Sequence, residues 1–242
     1  MRKNSVDAFR RYLAAQSLSA PAQLAIPKPA ITISRQTWAG AVTVAQLVAD
    51  QLNLDYQGEP PCPWTVFDRN LVAKIVEDHH LTKEVEEFMP EDIKFPLTDA
   101  LESLLGLHPS SWTLKEDAKE TIRKLAVKGN VILVGRGAAI ITALLPRILH
   151  VRLVAPFNSR VRNCAEFHRI SAEKAARLVR ETDEARRRYV QGYFGADVED
   201  PLHYHLVINT GRNSFQDTAR IICHALDSKV LLAEQKTQEV YS

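Results

Sequence analysis

The sequence predicts an α/β fold, a parallel sheet covered by helices on both faces in three layers. Three observations carry that expectation. Residues 131–134 (V-I-L-V) are wholly apolar, as expected of a strand buried on both faces. Strand-like runs alternate with amphipathic helical stretches, the pattern of βαβ units. The chain has 242 residues, 45% hydrophobic and 25% charged, which suits one core, since single cores stop growing at about 250–300 residues.

The elements follow in order. Residues 5–16 place Val6, Phe9, Tyr12 and Leu13 on one side of a short amphipathic helix. Pro21, Pro27 and Pro29 come next and disfavour regular structure. Residues 1–30 therefore read as an N-terminal arm and linker, a frayed tail rather than a docked helix. Residues 31–34 form the first strand, and 42–53 a helix with Val44, Leu47, Val48 and Leu52 on one face. Residues 57–65 are a Pro/Gly-rich connection. Phe67-Asp68-Arg69 leads into a helix striped by Leu71, Val72, Ile75 and Val76, and Pro90, Pro96 and Pro109 break residues 80–112 into short helices.

A long amphipathic helix over 114–128 ends at Gly129, where glycine tolerates positive φ. After strand 131–134 come Gly135-Arg136-Gly137 and a helical stretch, then a strand over 148–154. Two helices follow, broken near residues 170–171, with Ser171 as N-cap. A strand over 206–208 and a closing helix over 214–226 complete the series. Residues 31–230 form one domain, with a helical insertion at about 69–112 and a lid at about 158–190; 231–242 is a C-terminal tail.

Several function classes drop out. A net charge of +2 does not call for a nucleic-acid partner. No apolar run approaches the roughly 18 residues of a membrane span, and Arg10 and Arg11 interrupt any signal-peptide core. Cys62, Cys164 and Cys223 are far apart, which suits reduced thiols in the cytoplasm. His79-His80 and His203-x-His205 hint at metal, the latter pair sharing a strand face, but no acidic or cysteine ligand stands at a supporting spacing, so no metal site is expected. No nucleophile elbow is present.

Three features bear on chemistry. Residues 31–45 read I-T-I-S-R-Q-T-W-A-G-A-V-T-V-A, a strand, tight turn and helix. A phosphate-binding loop, G-x-x-x-x-G-K-[ST], surrounds phosphate with backbone N–H groups and adds a lysine. With Gly40 as the second glycine, Arg35 falls on the first, Ala41 on the lysine and Val42 on the hydroxyl, with Thr43 one residue later. An ordinary βα turn fits as well. Arg136, just past a buried strand, stands where open α/β sheets place ligands and can fork onto a phosphate; a surface arginine between two glycines is the alternative. Residues 160–188 carry nine basic side chains against five acidic ones, an excess of +4. Arg160 and Arg186 on two bent helices could close over a triphosphate, with Asp183 and Arg186 bracing each other three residues apart. A solvated helix pair is the other reading.

The order of these pieces resembles the cytidylate kinase-like family of nucleoside monophosphate kinases. The matching residues are I-T-I-S-R-Q at 31–36, F-D-R-N-L-V at 67–72, G-N-V-I-L-V-G-R-G-A at 129–138, V-A-P-F-N-S-R at 154–160, D-E-A-R-R-R-Y at 183–189 and D-P-L-H-Y-H-L-V-I-N-T at 200–210. The resemblance implies transfer of the γ-phosphoryl group of ATP to a nucleoside monophosphate of the CMP or dCMP kind, with Mg²⁺ present. Ser34, Arg35, Gly40, Ala41, Val42 and Thr43 would belong to the donor-phosphate loop. Asp68, Arg69 and Arg136 would face the acceptor; Arg160, Asp183 and Arg186 would serve catalysis from the lid and its hinge.

The departures are on the loop and the acceptor side. The family's loop reads S-R-x-x-G-S-G-G followed by a basic residue. Here Trp38 and Ala41 replace glycines, Val42 replaces the basic residue, and no lysine lies between residues 31 and 45. Gly137 stands where bacterial cytidylate kinases carry aspartate, and His205 also replaces an aspartate. The sequence thus allows a cytidylate-kinase-type enzyme, a kinase-shaped module that binds a nucleotide or a partner without turnover, or a kinase for another small acceptor. The N-terminal arm offers a possible docking segment for a protein partner.

Overall fold

The computed structural model describes residues 4–17, 28–54, 62–68 and 116–241. In chain order they form α1 (Asn4–Ser17), β1 (Ala30–Arg35), α2 (Ala41–Leu54), β2 (Thr65–Phe67), α3 (Glu116–Lys128), β3 (Val131–Val134), α4 (Ala138–Ile141) and β4 (Ile148–Val154). Then come α5 (Phe157–His168), α6 (Ala172–Phe194), a 3₁₀ turn (Pro201–His203), β5 (Leu206–Asn209) and α7 (Phe215–Tyr241). The expected helices between residues 69 and 112 lie outside the described residues.

The five strands are all parallel, in the order β2-β3-β1-β4-β5. Side chains alternate across a strand, and each face has its own core. Ile31, Ile33, Ile132, Val134, Leu149 and Val151 pack against α2 and α7. Ala30, Val131, Leu133 and Ile148 pack against α1, α3 and α4. Both faces are covered, so the strands read as apolar runs. Ser171 caps α6 by accepting from the Lys174 amide at 3.3 Å, and Gly129 closes α3 at φ +73°. No described helix is long and apolar enough to cross a membrane.

Four expectations need correction. The N-terminal helix is docked, not frayed. Phe9, Tyr12 and Leu13 are buried in the core, Phe9 meets Phe67 edge-on at 5.5 Å, and the Tyr12 hydroxyl donates to the Gly129 carbonyl at 3.2 Å. The prolines follow this helix in sequence and do not interrupt it. Thr65–Phe67 is a strand where the sequence predicts only the end of the 57–65 connection and the Phe67-Asp68-Arg69 lead; three residues are too few for alternation to show. It is held where the Trp64 amide donates to Asn53 at 2.7 Å and Asn130 donates to Cys62 O at 2.7 Å. The last helix continues to Tyr241, because no glycine or proline follows Leu226 to stop it. His203 sits in the 3₁₀ turn and His205 ahead of β5, so they share no strand face.

His150 in β4 is one buried exception to the apolar pattern. Its Nδ1 lies 2.9 Å from Thr32 Oγ1, and its ring stacks on His205 at 5.0 Å. Burial, then His205 and Lys229, push its pKa down to about 3.

Two outcomes follow from this packing. Phe9→Ala, at a fully buried position, should cost about 3 kcal/mol in urea unfolding; an unchanged midpoint would mean α1 is not part of the core. Acid should also weaken the fold. The folded pKa of His150 lies below the ordinary 6.5, so its contribution is present above 6.5 and is lost as pH falls towards 3. About 3 kcal/mol should be gone by pH 4. His150→Gln should lose distinctly less than wild type between pH 7 and pH 4 in the same assay.

Candidate functional site

The sheet brings cations together at its carboxyl edge. β1 lies between β3 and β4, where the chain's direction of strand addition reverses, and such a switch point opens a crevice beyond the strand ends. Arg35 ends β1, Arg136 follows β3, Arg152 projects from β4, and Arg186 descends from α6. All four line one small cavity with Asp183 and Glu199. Its volume is about 10 Å³, room for about one water.

Like charges at such close quarters oppose one another. Burial, then Arg136, lower Arg35 to about 10, against an opposing pull from Asp68. Burial, then Arg35 and Arg136, lower Arg186 well below its usual value; Asp183 raises it and Arg152 lowers it further. The guanidinium groups nevertheless remain charged at neutral pH.

The loop after β1 is clamped by α5 and α6 through Thr37. The Thr37 amide donates to Asp183 Oδ1 at 2.8 Å. Its carbonyl accepts from Arg160 Nη1 at 3.2 Å, and its hydroxyl accepts from Arg186 Nε at 3.0 Å. Arg160 also pairs with Asp183 at 2.5 Å. Asp183 therefore bonds directly to Arg160 and supports Arg186 through its charge. Asn163 donates to Trp38 O at 3.1 Å and Thr210 to Ala39 O at 3.0 Å, so the loop is gripped along its length.

All the expected residues but Arg69 have a definite place. Ser34 is buried and accepts from Arg152 Nη1 at 3.0 Å. Arg35 turns into the cavity. Gly40 takes φ +81°, and a side chain there would run into the Phe215 ring. Ala41 is buried at the start of α2, whereas Val42 and Thr43 are exposed. Asp68 is buried and close enough to Arg35 to act on it; Arg69 lies outside the described residues. Arg136 sits 5.4 Å from the Tyr189 ring. Gly137 has φ +79° with Phe194 against it, so an aspartate there would collide. Of the nine basic side chains in 160–188, Arg160 is buried and Arg186 half-buried, while the other seven are exposed.

Sequence reasoning missed Thr37, Arg152, Glu199 and Tyr204. Arg152 carried a signal. In I-L-H-V-R-L-V the polar residues His150 and Arg152 recur at a spacing of two, on one face of an otherwise apolar strand. Among the described residues no group of three or more His, Cys, Asp or Glu could hold a metal ion.

The sequence model of the cytidylate kinase-like family matches residues 30–212. A cytidylate kinase of Staphylothermus marinus is 34% identical over 99 residues, 40% of this chain and 54% of that protein. One of Methanopyrus kandleri is 31% identical over 115 residues, 43% of this chain and 58% of that protein. The chain thus spans a little over half the length of these curated relatives. A crystal structure of an uncharacterized protein from Eubacterium ventriosum superposes with a TM-score of 0.59 at 19% identity, covering 83% of this chain and 99% of that one. That likeness concerns the fold alone.

The clamp predicts a contrast between two carboxylates of α6. Asp183→Asn leaves buried Arg160 without its counter-charge and should cost about 3 kcal/mol in urea unfolding. Glu184→Gln breaks only exposed pairs with Arg187 and Arg188 and should cost less than about 1 kcal/mol. Equal effects would show that Asp183 is no more than a surface charge.

Proposed function

The chain belongs to the cytidylate kinase-like family, and we propose that it is a nucleoside monophosphate kinase-like phosphotransferase, moving the γ-phosphoryl group of ATP to a CMP-like acceptor. One observation carries the reading: Arg35, Arg136 and Arg186 converge at the carboxyl end of β1, while Arg160 and Asp183 tie α6 to the adjoining loop. Phosphoryl transfer needs positioning and positive charge more than covalent chemistry from the protein.

In this reading the donor phosphates meet Arg35 and the Ser34–Thr43 loop, and Asp68, Arg69 and Arg136 face the acceptor. Arg186 reaches across from the lid to the transferring group. Arg160 and Asp183 hold the lid on the loop, and α5 and α6 must swing away to admit substrate, since the present cavity holds about one water. Mg²⁺ takes one or two carboxylates plus substrate phosphates, so the four arginines suit the phosphates and the ion would enter with them. Thr43, exposed in the first turn of α2, stands one residue past the motif position whose hydroxyl usually holds magnesium. A cytoplasmic location belongs to this reading, because the three cysteines are buried thiols.

A second reading, binding without turnover, has its own motive. The loop has no lysine, and its Gln36, Thr37 and Ala39 amides donate to Leu153 O, Asp183 and Gln36 O.

Purified protein with Mg-ATP and a panel including CMP and dCMP should form ADP. Arg186→Ala should lower kcat by about two to three powers of ten. Calorimetric nucleotide binding without ADP formation would favour the second reading, and neither binding nor turnover would end both.

A further inference from the structure

Arg152 is among the largest fully buried side chains of the protein, 2% exposed in a strand whose neighbours Val151 and Leu153 are apolar core. It lies opposite Ser34 in the β1–β4 register. Its Nη1 donates to Ser34 Oγ at 3.0 Å and its Nη2 to Glu199 Oε1 at 2.6 Å. The guanidinium sits 5.6 Å from the Tyr204 ring centroid. The Tyr204 hydroxyl lies 3.2 Å from Ser34 Oγ and donates to Val198 O at 2.9 Å. The cation is thus held beside Ser34, at the base of the phosphate loop, by Ser34, Glu199 and the Tyr204 ring.

A structural ion pair does not account for it. The Glu199 side chain is 41% exposed, so its charge lies at the rim and could be satisfied by an exposed arginine. Burial of a cation is costly, and this one is buried beside three others, adding to the load on Arg186. Arg152 Nε and Arg35 Nη1 are both buried without a hydrogen-bond partner. The cavity is lined by four arginines and two carboxylates, Asp183 and Glu199; Arg160 beside Asp183 and Asp68 beside Arg35 add one charge of each sign, so five minus three leaves +2. A phosphate monoester carries about −2 at neutral pH, whereas a carboxylate carries one charge. Val42, at the position of the family's basic residue, is 41% exposed.

We propose that Arg152 binds the phosphate group of the substrate at the base of the loop, supplying from β4 a fixed cation in place of the basic residue that Val42 replaces. The proposal rests on the phosphotransferase reading for the identity of the substrate, but not for the anion. Glu199 and Tyr204 are positioning residues: they fix the guanidinium plane, and Glu199 holds the cation in check until a dianion arrives.

Calorimetric titration of the full chain with pyrophosphate at low salt tests this, with ADP formation and the thermal midpoint followed in parallel. Arg152→Met should weaken pyrophosphate at least tenfold while leaving the ligand-free midpoint unchanged or raised, because a repelled cation has been removed. Arg152→Lys should recover part of the affinity, and Glu199→Gln should bind as tightly as wild type or more tightly. Affinity within twofold of wild type in Arg152→Met overturns the proposal, as does absence of pyrophosphate binding in wild type. If Arg152→Met does not fold, the other variants decide: retained binding in Arg152→Lys with undiminished binding in Glu199→Gln supports the proposal, and loss of binding in Glu199→Gln overturns it. Arg152-dependent binding without ADP formation keeps this proposal and ends the kinase reading. Turnover indifferent to Arg152→Met does the reverse.

Discussion

One carboxylate holds the site together. Asp183 accepts the Thr37 amide at 2.8 Å and Arg160 at 2.5 Å, and it opposes the mutual repulsion of the arginines around Arg186. Two like charges 4 Å apart repel by about 4 kcal/mol at an effective dielectric constant of about 20, so four guanidiniums are not gathered by their own chemistry. The counter-charges come from three separated places: Asp68 after β2, Asp183 on α6 and Glu199 ahead of the 3₁₀ turn. No local segment supplies both the cations and their balance. The site therefore exists only once β1, β3, β4 and α6 are assembled, and the two cores on either side of the sheet are what keep it in being.

The unusual residues of the loop make sense within that clamp. Trp38 adopts φ 65°, which costs a residue with a side chain about 1–2 kcal/mol. Its indole leaves the cavity and packs on Phe167 and His168, both at 5.2 Å, while Asn163 holds its carbonyl. The tryptophan thus joins the loop to α5 where a glycine would leave it loose. Gly40 is retained where Phe215 presses on the backbone, and Gly137 where Phe194 does. The missing aspartate after Gly135-Arg136 is then a matter of space: the end of α6 fills the volume its side chain would need.

Legibility in the sequence tracked the length over which a pattern runs. The strands at 131–134 and 148–154, the glycine closing α3 and the serine capping α6 could be read because each is fixed by its own segment. Thr65–Phe67 could not, since three residues at a sheet edge draw their conformation from Asn53 and Asn130 far along the chain. The N-terminal helix was visible as an amphipathic pattern, but its partner, Phe67, was not. Within the site, Arg160 and Arg186 stood among nine similar residues, and helical periodicity gave no way to see that these two face Thr37 while seven face water. Arg152 was the reverse case, a polar residue in an apolar strand whose meaning depended on a cross-strand serine.

The clamp also determines what kind of recognition is left to the loop. A glycine-rich phosphate loop works through backbone N–H groups pointing inward at an anion. Here the Gln36 amide is bonded to Leu153 O at 2.9 Å, the Ala39 amide to Gln36 O at 3.2 Å and the Thr37 amide to Asp183. Three donors of the turn are engaged within the protein, and Asp183 supplies the negative charge a phosphate would otherwise bring to Thr37. Anion binding then shifts to guanidinium side chains, which fork onto phosphate oxygens and need no close approach of the main chain. That shift removes the steric demand for glycine at residues 38 and 41. The same change that makes the loop look worn in sequence is compatible with a working anion pocket, because the donors have moved from the backbone of one segment to side chains of four.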